Sequence, residues 1–213
     1  MKGLLRNNFY TVESTLKGMI LVVILVFVVM MVVGLNGWDE HFSVEIFGLG
    51  AIGSFSSTFL ALVQNDSTSK WCRFELTTPI TKADVIKARY ITFATGSIVG
   101  VVSYIIIYAV YYTIIGGVDL ERFGYFVSFV ITYLLILPSI MHPLVLKFGM
   151  DKGQFIFVMS ALFAATYLIL PEFLLKNMPI SNFTYRITML TISVLIFVGS
   201  YLISKNMYLK KDL

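Results

Sequence analysis

Residues 18–35 read GMILVVILVFVVMMVVGL, and no polar side chain occurs between Met19 and Val33. A helix of roughly 20 apolar residues crosses the hydrocarbon core of a bilayer, so this stretch predicts a membrane span. We do not expect it to be a cleaved signal peptide, because its apolar run is too long and residues 36–40 hold no small-residue cleavage site. The stretch therefore indicates an integral membrane protein.

The rest of the sequence has the composition of a chain that crosses the membrane repeatedly. Hydrophobic residues make up 58% of the 213 residues and charged residues 13%, and the charged share is about half that of a typical soluble domain. Five more apolar runs approach the length of a span, at residues 46–63, 91–115, 123–146, 154–170 and 187–203. We therefore predict an all-α, polytopic membrane protein in which six transmembrane helices form a single transmembrane domain over residues 1–213.

Lysine and arginine are distributed unequally between the two sides of this topology. Of the 16 basic residues, one side carries only Arg122, Lys176 and Arg186, and the other 13 lie in the terminal segments and in the loops after the second and fourth spans. Cytoplasmic loops hold such an excess, so we predict that both termini are cytoplasmic. The basic residues border apolar spans and form no solvated patch, so the net charge of +4 predicts no nucleic-acid partner.

The N-terminal 17 residues predict a helix of a different kind. Leu5, Phe9, Val12 and Leu16 share one helical face, and the charged residues fall on the others. We expect residues 1–17 to form an interfacial helix with this apolar face towards lipid. The alternative is a solvated start to the first span.

The cytoplasmic loop of residues 64–90 is the longest polar interruption in the chain. Trp71 and Phe74 lie at helical spacing in its first half, and this helix ends before Pro79 because the residue preceding a proline is displaced from the helical region. Thr81 stands three residues before Asp84, the spacing of a capping box, so a second helix begins there and runs into the third span. Tryptophan is a side chain enriched where partners bind, but anchoring at lipid headgroups explains Trp71 and Phe74 equally well.

Two stretches of this sequence resemble a known family. Residues 70–90, KWCRFELTTPITKADVIKARY, are similar to the loop W-x-R-(Y/F)…(L/T)-P-(V/I)-(S/T)-(R/K)-x-(D/Q)-(I/V)-(V/I)-x-x-(K/R)-Y, and residues 143–152, PLVLKFGMDK, to the turn P-L-x-x-K-F-G-x-(E/D)-K. Both are features of permease subunits of ABC-2-type transporters, in the small six-span bacterial branch that exports peptides or confers immunity to them and that includes phenol-soluble-modulin exporters. The opening MKGLLRNNFY extends the likeness to most of the chain.

The resemblance implies that residues 67–77 form a coupling helix between spans two and three, seated in a groove of a cytoplasmic ABC ATPase. It also implies two ATPase copies and a second permease chain, identical or a sister, in each working transporter. The residues implied for ATPase coupling are Lys70, Trp71, Cys72, Arg73, Phe74 and Leu76, with Pro79, Thr81 and Asp84 as the joint and cap of the loop.

The sequence predicts no catalytic, cofactor-binding or metal-binding residues in this chain. It contains no G-x-x-x-x-G-K-(S/T) phosphate loop, so ATP and Mg are expected to bind to the partner ATPase. The one cysteine, Cys72, excludes an internal disulfide, and His41 and His142 fall on opposite sides of the predicted topology. We therefore expect that the chain is not itself an enzyme.

Small residues within the spans are candidates for close helix packing. Gly50 and Gly53 lie on one face of the second span, and Gly96 and Gly100 form a G-x-x-x-G pair in the third. Such faces let helix backbones approach closely. They serve either internal packing or a seam between two permease chains.

Three tyrosines and one histidine are the candidate substrate path. Tyr104, Tyr108 and Tyr111 lie on one side of the third span, where they provide either a hydrogen-bonding surface for a peptide or an aromatic belt at the outer interface. His142 is the one ionisable group placed well inside a predicted span, which favours a functional role. The alternative is that the neighbouring prolines kink this helix and that His142 lies near the cytoplasmic edge.

These features, with the resemblance, predict the permease subunit of an ATP-driven ABC-2-type exporter in a bacterial plasma membrane. The expected substrate is an amphipathic or hydrophobic peptide, such as a toxin or an antimicrobial peptide, and efflux of lipids or drugs stays open. The alternative function is a non-transporting membrane scaffold or sensor subunit that recruits a cytoplasmic partner through residues 64–90.

Overall fold

The computed structural model describes residues 2–35, 55–56, 58–64, 81–115, 120–175 and 182–210, and every regular element in these ranges is a helix. The helices are α1 (Lys2–Leu35), α2 (Lys82–Ile115), α3 (Leu120–Phe148), α4 (Gly153–Leu175) and α5 (Asn182–Leu209), with a short 3-10 helix at Met150–Lys152 between α3 and α4. Residues 55–56 and 58–64 are also helical. The prediction of an all-α protein is confirmed for this part of the chain.

Four helices in the described ranges are long and apolar enough to cross a membrane. These candidate spans are Lys82–Val110, Phe123–Phe148, Met150–Pro171 and Phe183–Leu209. They overlap the third to sixth predicted spans, whose crossing of the membrane stays a prediction, and each helix is longer than its predicted span because it continues past the apolar run. Residues 18–35 are helical as the second half of α1, and the described residues of the predicted span 46–63 are helical too. A total of six spans stays a prediction.

Helix α3 lies at the centre of the bundle and packs against α2, α4 and α5. In its most apolar stretch 61% of the residues are buried, against 29%, 28% and 22% for the candidate spans of α2, α4 and α5. Leu134 and Leu137 of α3 are fully buried, whereas Phe155 of α4 and Leu195 of α5 are exposed. The outer helices therefore keep an apolar surface, which lipid tails solvate as well as protein does.

Two prolines inside α3 determine its contacts with neighbouring helices. Proline has no backbone N–H, so the carbonyl four residues earlier loses its helical hydrogen bond; for Pro138 this is the carbonyl of Leu134. The Ser97 hydroxyl of α2 lies 3.2 Å from the Leu134 carbonyl oxygen and 2.9 Å from that of Phe93, so its single hydrogen is shared between them. A neighbouring helix thus supplies the donor that a bilayer interior cannot.

The N-terminal part of α1 packs against the N-terminal part of α2. Leu4, Asn8 and Val12 recur every four residues and are buried on one face of α1. Asn8 Nδ2 donates a hydrogen bond to Thr92 Oγ1 at 3.4 Å. A polar contact therefore fixes the position of this segment within an otherwise apolar interface.

This packing changes two details of the prediction for residues 1–17. Residues 2–17 are helical, as expected, but α1 continues without a break to Leu35. The predicted lipid-facing stripe is divided, because Phe9 is 44% exposed whereas Val12 is 5% exposed and packs inwards. The physical reason is that Thr92 offers a partner to Asn8, which turns the Val12 side of α1 towards α2. Placement of the segment at the membrane interface stays a prediction.

Gly96 and Gly100 provide close packing within the chain. A Cβ atom at Gly100 would lie 2.9 and 3.1 Å from ring carbons of Phe55 and 3.2 Å from Leu134 Cδ1. At Gly96 a Cβ atom would lie 3.7 Å from the Phe59 ring. Of the two alternatives for this glycine pair, the described residues therefore show internal packing.

A glycine also makes the connection between α3 and α4. Gly149 has a φ of +95°, a backbone conformation that only glycine adopts without strain. Its N–H donates to the Val145 carbonyl oxygen at 3.0 Å, which closes the last turn of α3. The chain then turns through residues 150–152 into α4.

Gly100→Ala is expected to lower the free energy of unfolding by about 1–3 kcal/mol, the usual cost of adding atoms to a packed core. Phe55 and Leu134 are 5% and 0% exposed, so neither side chain has room to move away. Thermal unfolding of the full chain in detergent measures the effect. Gly199→Ala is the matched control, because nothing lies within 4 Å of a Cβ atom at Gly199. An equal loss in both variants would contradict the packing described above.

Candidate functional site

Helix α2 begins with a side-chain cap close behind the predicted joint at Pro79. Thr81 Oγ1 accepts a hydrogen bond from the backbone N–H of Asp84 at 3.2 Å and donates one to Asp84 Oδ2 at 2.8 Å. The cap satisfies a backbone donor that has no helical acceptor, and the carboxylate suits the positive end of the helix dipole. The first of these bonds is the one that the Thr81–Asp84 spacing predicts, and α2 then continues unbroken to Ile115.

Further along α2, Tyr90 is buried among aromatic rings. Its ring centroid lies 5.1 Å from that of His142 in α3, and 5.3 and 5.4 Å from those of Phe197 and Tyr201 in α5. Phe93 completes the set at 5.8 Å. All four contacts are edge to face, an arrangement that stabilises aromatic pairs beyond their buried area. The Tyr90 ring therefore joins α2 to both α3 and α5.

A chain of hydrogen bonds connects the same three helices. Pro143 leaves the Ser139 carbonyl without its helical donor, and Ser200 Oγ of α5 donates to that oxygen at 2.6 Å. Because the Ser200 hydrogen is used there, the Tyr90 hydroxyl is the donor in its 2.7 Å contact with Ser200 Oγ. Ser204 Oγ, 2.9 Å from the Tyr90 oxygen, is then the donor to Tyr90.

The chain of hydrogen bonds begins at His142. Its Nδ1 lies 3.1 Å from Ser204 Oγ, and since Ser204 donates to Tyr90, Nδ1 carries the hydrogen in this contact. His142 is 2% exposed, and its Nε2 has no hydrogen-bond partner among the residues that the structure describes. We refer to the five connected residues, Tyr90, Ser139, His142, Ser200 and Ser204, as the Tyr90 junction.

The Tyr90 junction connects helices through hydroxyls, one backbone carbonyl and one imidazole. Ser204 donates its hydrogen to Tyr90 and not to His142, so the imidazole is not arranged as a general base for this serine. Buried hydrogen bonds in a low-dielectric interior polarise one another and are expensive to break. Arg89, next to Tyr90, is also buried, at 6% exposure. The junction therefore holds the N-terminal part of α2 against α3 and α5.

The tyrosines of the candidate substrate path lie elsewhere in α2. Tyr104 and Tyr108 are buried and stack on Phe123 of α3, with ring centroids 6.2 and 4.1 Å apart. Tyr104 is about 21 Å from Tyr90 along the helix axis, at 1.5 Å per residue, so the structure does not bring these tyrosines to His142. Tyr111 follows them in the same helix. Tyr104 and Tyr108 stabilise the α2–α3 contact, and a substrate path through them stays a prediction.

Several predicted site residues lie outside the described residues. They are Gly50 and Gly53 in the second predicted span and, in the coupling loop, Lys70, Trp71, Cys72, Arg73, Phe74, Leu76 and Pro79. Within the ranges that the structure does describe, no three histidine, cysteine or acidic side chains lie close enough together to hold a metal ion.

A comparison with known protein families gives a match that covers nearly the whole chain. The model of the family described as ABC-2 family transporter protein matches residues 3–209. The chain belongs to this family. The family comprises membrane components of ABC transporters that have no ATPase motif of their own and work with a separate ATPase subunit. No curated protein and no solved structure matches this permease.

Sequence reasoning singled out His142 but missed the residues that contact it. In the sequence, Ser200 and Ser204 are ordinary small polar residues, one within the predicted span 187–203 and one directly after it. A signal was present, since a proline inside a span deprives the carbonyl four residues earlier of its donor, and hydroxyls on neighbouring helices commonly replace it. That rule points from Pro143 to Ser139, but only the packing identifies Ser200 as the donor.

Tyr90→Phe is expected to destabilise the permease by about 1–3 kcal/mol, because it keeps the ring contacts but removes the hydroxyl that Ser200 and Ser204 share. Thermal unfolding of the purified chain in detergent measures the loss. Tyr201→Phe is the matched control, since its ring packs on Tyr90 at 5.4 Å and its hydroxyl takes no part in the chain of hydrogen bonds. Equal melting temperatures for the two variants would show that this chain does not hold the helices together.

Proposed function

We propose that the permease is the membrane subunit of an ATP-driven ABC-2-type exporter that moves amphipathic or hydrophobic peptides, such as toxins or antimicrobial peptides, out of the cell or the membrane. Family membership supports the transporter class. The similarity of residues 70–90 and 143–152 to the peptide-export branch supports the cargo. The asymmetry of lysine and arginine supports a bacterial plasma membrane protein with both termini in the cytoplasm.

The observation that carries the proposed mechanism is the continuity of α2. This helix runs from Lys82 to Ile115 without a break and starts at the Thr81 cap, inside the 64–90 loop and shortly after the predicted coupling helix of residues 67–77. From Thr81 to Tyr90 it covers about 14 Å, at 1.5 Å per residue. A capped helix of this length moves as one body, so a force that reaches Thr81 past the predicted joint at Pro79 is passed on to Tyr90 without bending of the helix.

At Tyr90 the movement passes to two further helices. The Tyr90 hydroxyl contacts Ser200 at 2.7 Å, and the Tyr90 ring packs on His142 at 5.1 Å. Separating α2 from α3 and α5 would break buried hydrogen bonds, so the three helices shift together. We propose that ATP-driven closure of two partner ATPases moves this group between inward-facing and outward-facing arrangements, with a second permease chain completing the path.

Replacing Trp71 and Phe74 together with alanine is expected to weaken binding of the partner ATPase by about tenfold or more, because buried aromatic anchors carry most of the energy of such contacts. The dissociation constant of the detergent-solubilised permease and its ATPase measures the effect. Membrane insertion of the variant, measured by its recovery in the membrane fraction, should be unchanged.

Phe148→Ala is the control for general loss of an aromatic side chain, since Phe148 ends α3 and is 51% exposed. We expect this variant to bind the ATPase as the wild type does. If the Trp71 and Phe74 double variant binds the ATPase as tightly as the wild type, or if Phe148→Ala weakens binding equally, then Trp71 and Phe74 are not the residues that bind the ATPase.

Reconstitution of the permease with its ATPase in liposomes tests the cargo. Amphipathic helical peptides are expected to stimulate ATP hydrolysis, whereas peptides of the same composition with a scrambled, non-amphipathic order should not, because the proposed substrate is recognised by its apolar face. Release of inorganic phosphate measures the rate. Stimulation by lipids or drugs alone would change the substrate class, and an ATPase that binds but is stimulated by no compound would favour the scaffold or sensor function.

A further inference from the structure

A second polar site lies at the opposite end of the bundle from the Tyr90 junction. Near the starts of α3 and α5 and the end of α4, the helices form a small cleft that is open to the surroundings. Its polar lining includes Tyr125, Ser128, Thr132 and Arg186, and Phe129 and Met189 contribute to its apolar walls. We call it the α3–α5 cleft. The proposed transport mechanism uses none of these residues.

Arg186 of α5 is the one cationic side chain among the residues that line this cleft. Its Nη1 donates to the Glu121 carbonyl oxygen at 3.1 Å, and its Nη2 lies 3.5 Å from Glu121 Oε1. The guanidinium carbon lies 5.6 Å from the centre of the Tyr125 ring. The Arg186 side chain is 16% exposed and that of Glu121 is 65% exposed. A largely buried cation is therefore paired with an exposed carboxylate.

One donor of Arg186 has no acceptor in the described part of the chain. Its Nε is buried and makes no hydrogen bond there. A buried N–H of a charged group without an acceptor carries a desolvation cost that folded proteins normally avoid. The acceptor therefore comes from outside the described residues, as a water, as another part of this chain or as part of a ligand. An anionic oxygen is a stronger acceptor for a guanidinium than water is, and the planar donors of arginine match phosphate geometry.

The position of the cleft favours a lipid as the source of this anion. The candidate spans in α3 and α5 begin at Phe123 and Phe183, and Tyr125 and Arg186 follow within the first turn of each. This is the depth of the lipid headgroups, where phosphodiester groups are more concentrated than any free anion. One turn further in, Phe129 and Met189 offer an apolar surface to the start of an acyl chain, which inorganic phosphate would not use.

A neighbouring hydroxyl adds a preference among headgroups. Ser128 Oγ donates its hydrogen to the Tyr125 carbonyl oxygen at 2.7 Å. The Ser128 oxygen is therefore available only as an acceptor towards the cleft, and it suits a headgroup that carries hydroxyl donors. Glycerol is such a headgroup, so phosphatidylglycerol is the probe of choice.

We propose that the α3–α5 cleft binds the phosphate group of a membrane phospholipid, with Arg186 as the phosphate ligand and Phe129 and Met189 against the first acyl methylenes. The site goes beyond the transport function and holds whether or not the exported cargo is a peptide. It places a lipid between the ends of α3 and α5, at the opposite end of these helices from the Tyr90 junction.

Native mass spectrometry of the full chain, released from detergent after addition of one lipid at a time, tests this site. We expect one phosphatidylglycerol to be retained per chain, and no retention of a diacylglycerol that has the same acyl chains but no phosphate. Arg186→Gln should lower phosphatidylglycerol retention by about tenfold or more, since it removes a charge-assisted hydrogen bond. Lys147→Gln, which removes an exposed cation at the far end of α3, is the matched control and should retain the lipid as the wild type does.

Glu121→Gln separates a ligand site from a simple ion pair. The Glu121 carboxylate competes with the lipid phosphate for Arg186, so its removal should raise retention about two- to fivefold, the worth of an exposed ion pair. A purely structural ion pair predicts no gain. This variant therefore decides the question even if Arg186→Gln fails to fold.

Three results would overturn the proposal. The first is equal retention of diacylglycerol and phosphatidylglycerol. The second is lipid retention that neither Arg186→Gln nor Glu121→Gln changes. The third is displacement of the retained lipid by millimolar inorganic phosphate or by a peptide with a free carboxyl terminus, which would assign the cleft to a free anion or to a peptide.

Discussion

The two prolines of α3 impose the constraint on which the rest of this helical bundle depends. Pro138 and Pro143 each deprive a backbone carbonyl of its helical donor in a region where water cannot replace it. The missing donors come from other helices, from Ser97 of α2 at 3.2 Å and from Ser200 of α5 at 2.6 Å. Proline weakens an isolated helix, but here the two carbonyls that it leaves free bind α3 to α2 and α5. These carbonyls keep their donors only while the two neighbouring helices stay in contact with α3.

From Ser200 the same hydrogen bonds extend to the N-terminal part of α2. Tyr90 donates to Ser200, and its ring lies against His142, so the N-terminal part of α2 belongs to the same rigid group as α3 and α5. At the other end of α3 and α5, Arg186 contacts the first turn of α3 through Glu121. Polar contacts thus fix the relative positions of α3 and α5 at both ends of the pair. The apolar surfaces between these ends make no directional bonds, so they do not fix the positions of the two helices in the same way.

Much of the fold is predictable from the sequence, because its causes are local. The apolar runs locate the third to sixth spans, and the Thr81 and Asp84 spacing locates the start of α2. Prediction failed where the cause was a distant partner. The sequence treats Val12 as lipid-facing, but the Asn8–Thr92 contact turns it inwards. The same holds for the junction, in which His142 was recognisable as a buried ionisable group but its partners were not.

The sequence by itself determined the class of protein and the family, and it predicts a polar coupling loop and an orientation in the membrane. These follow from composition and short motifs, since a bilayer requires long apolar helices whose backbones are satisfied internally. Only the tertiary structure decided which hydroxyl replaces each missing donor, that Gly100 receives the Phe55 ring, and that Arg186 lines a cleft with an unused donor. The physical reason is distance, because hydrogen bonds act over about 3 Å whereas Tyr90 and Ser200 are 110 positions apart in the chain.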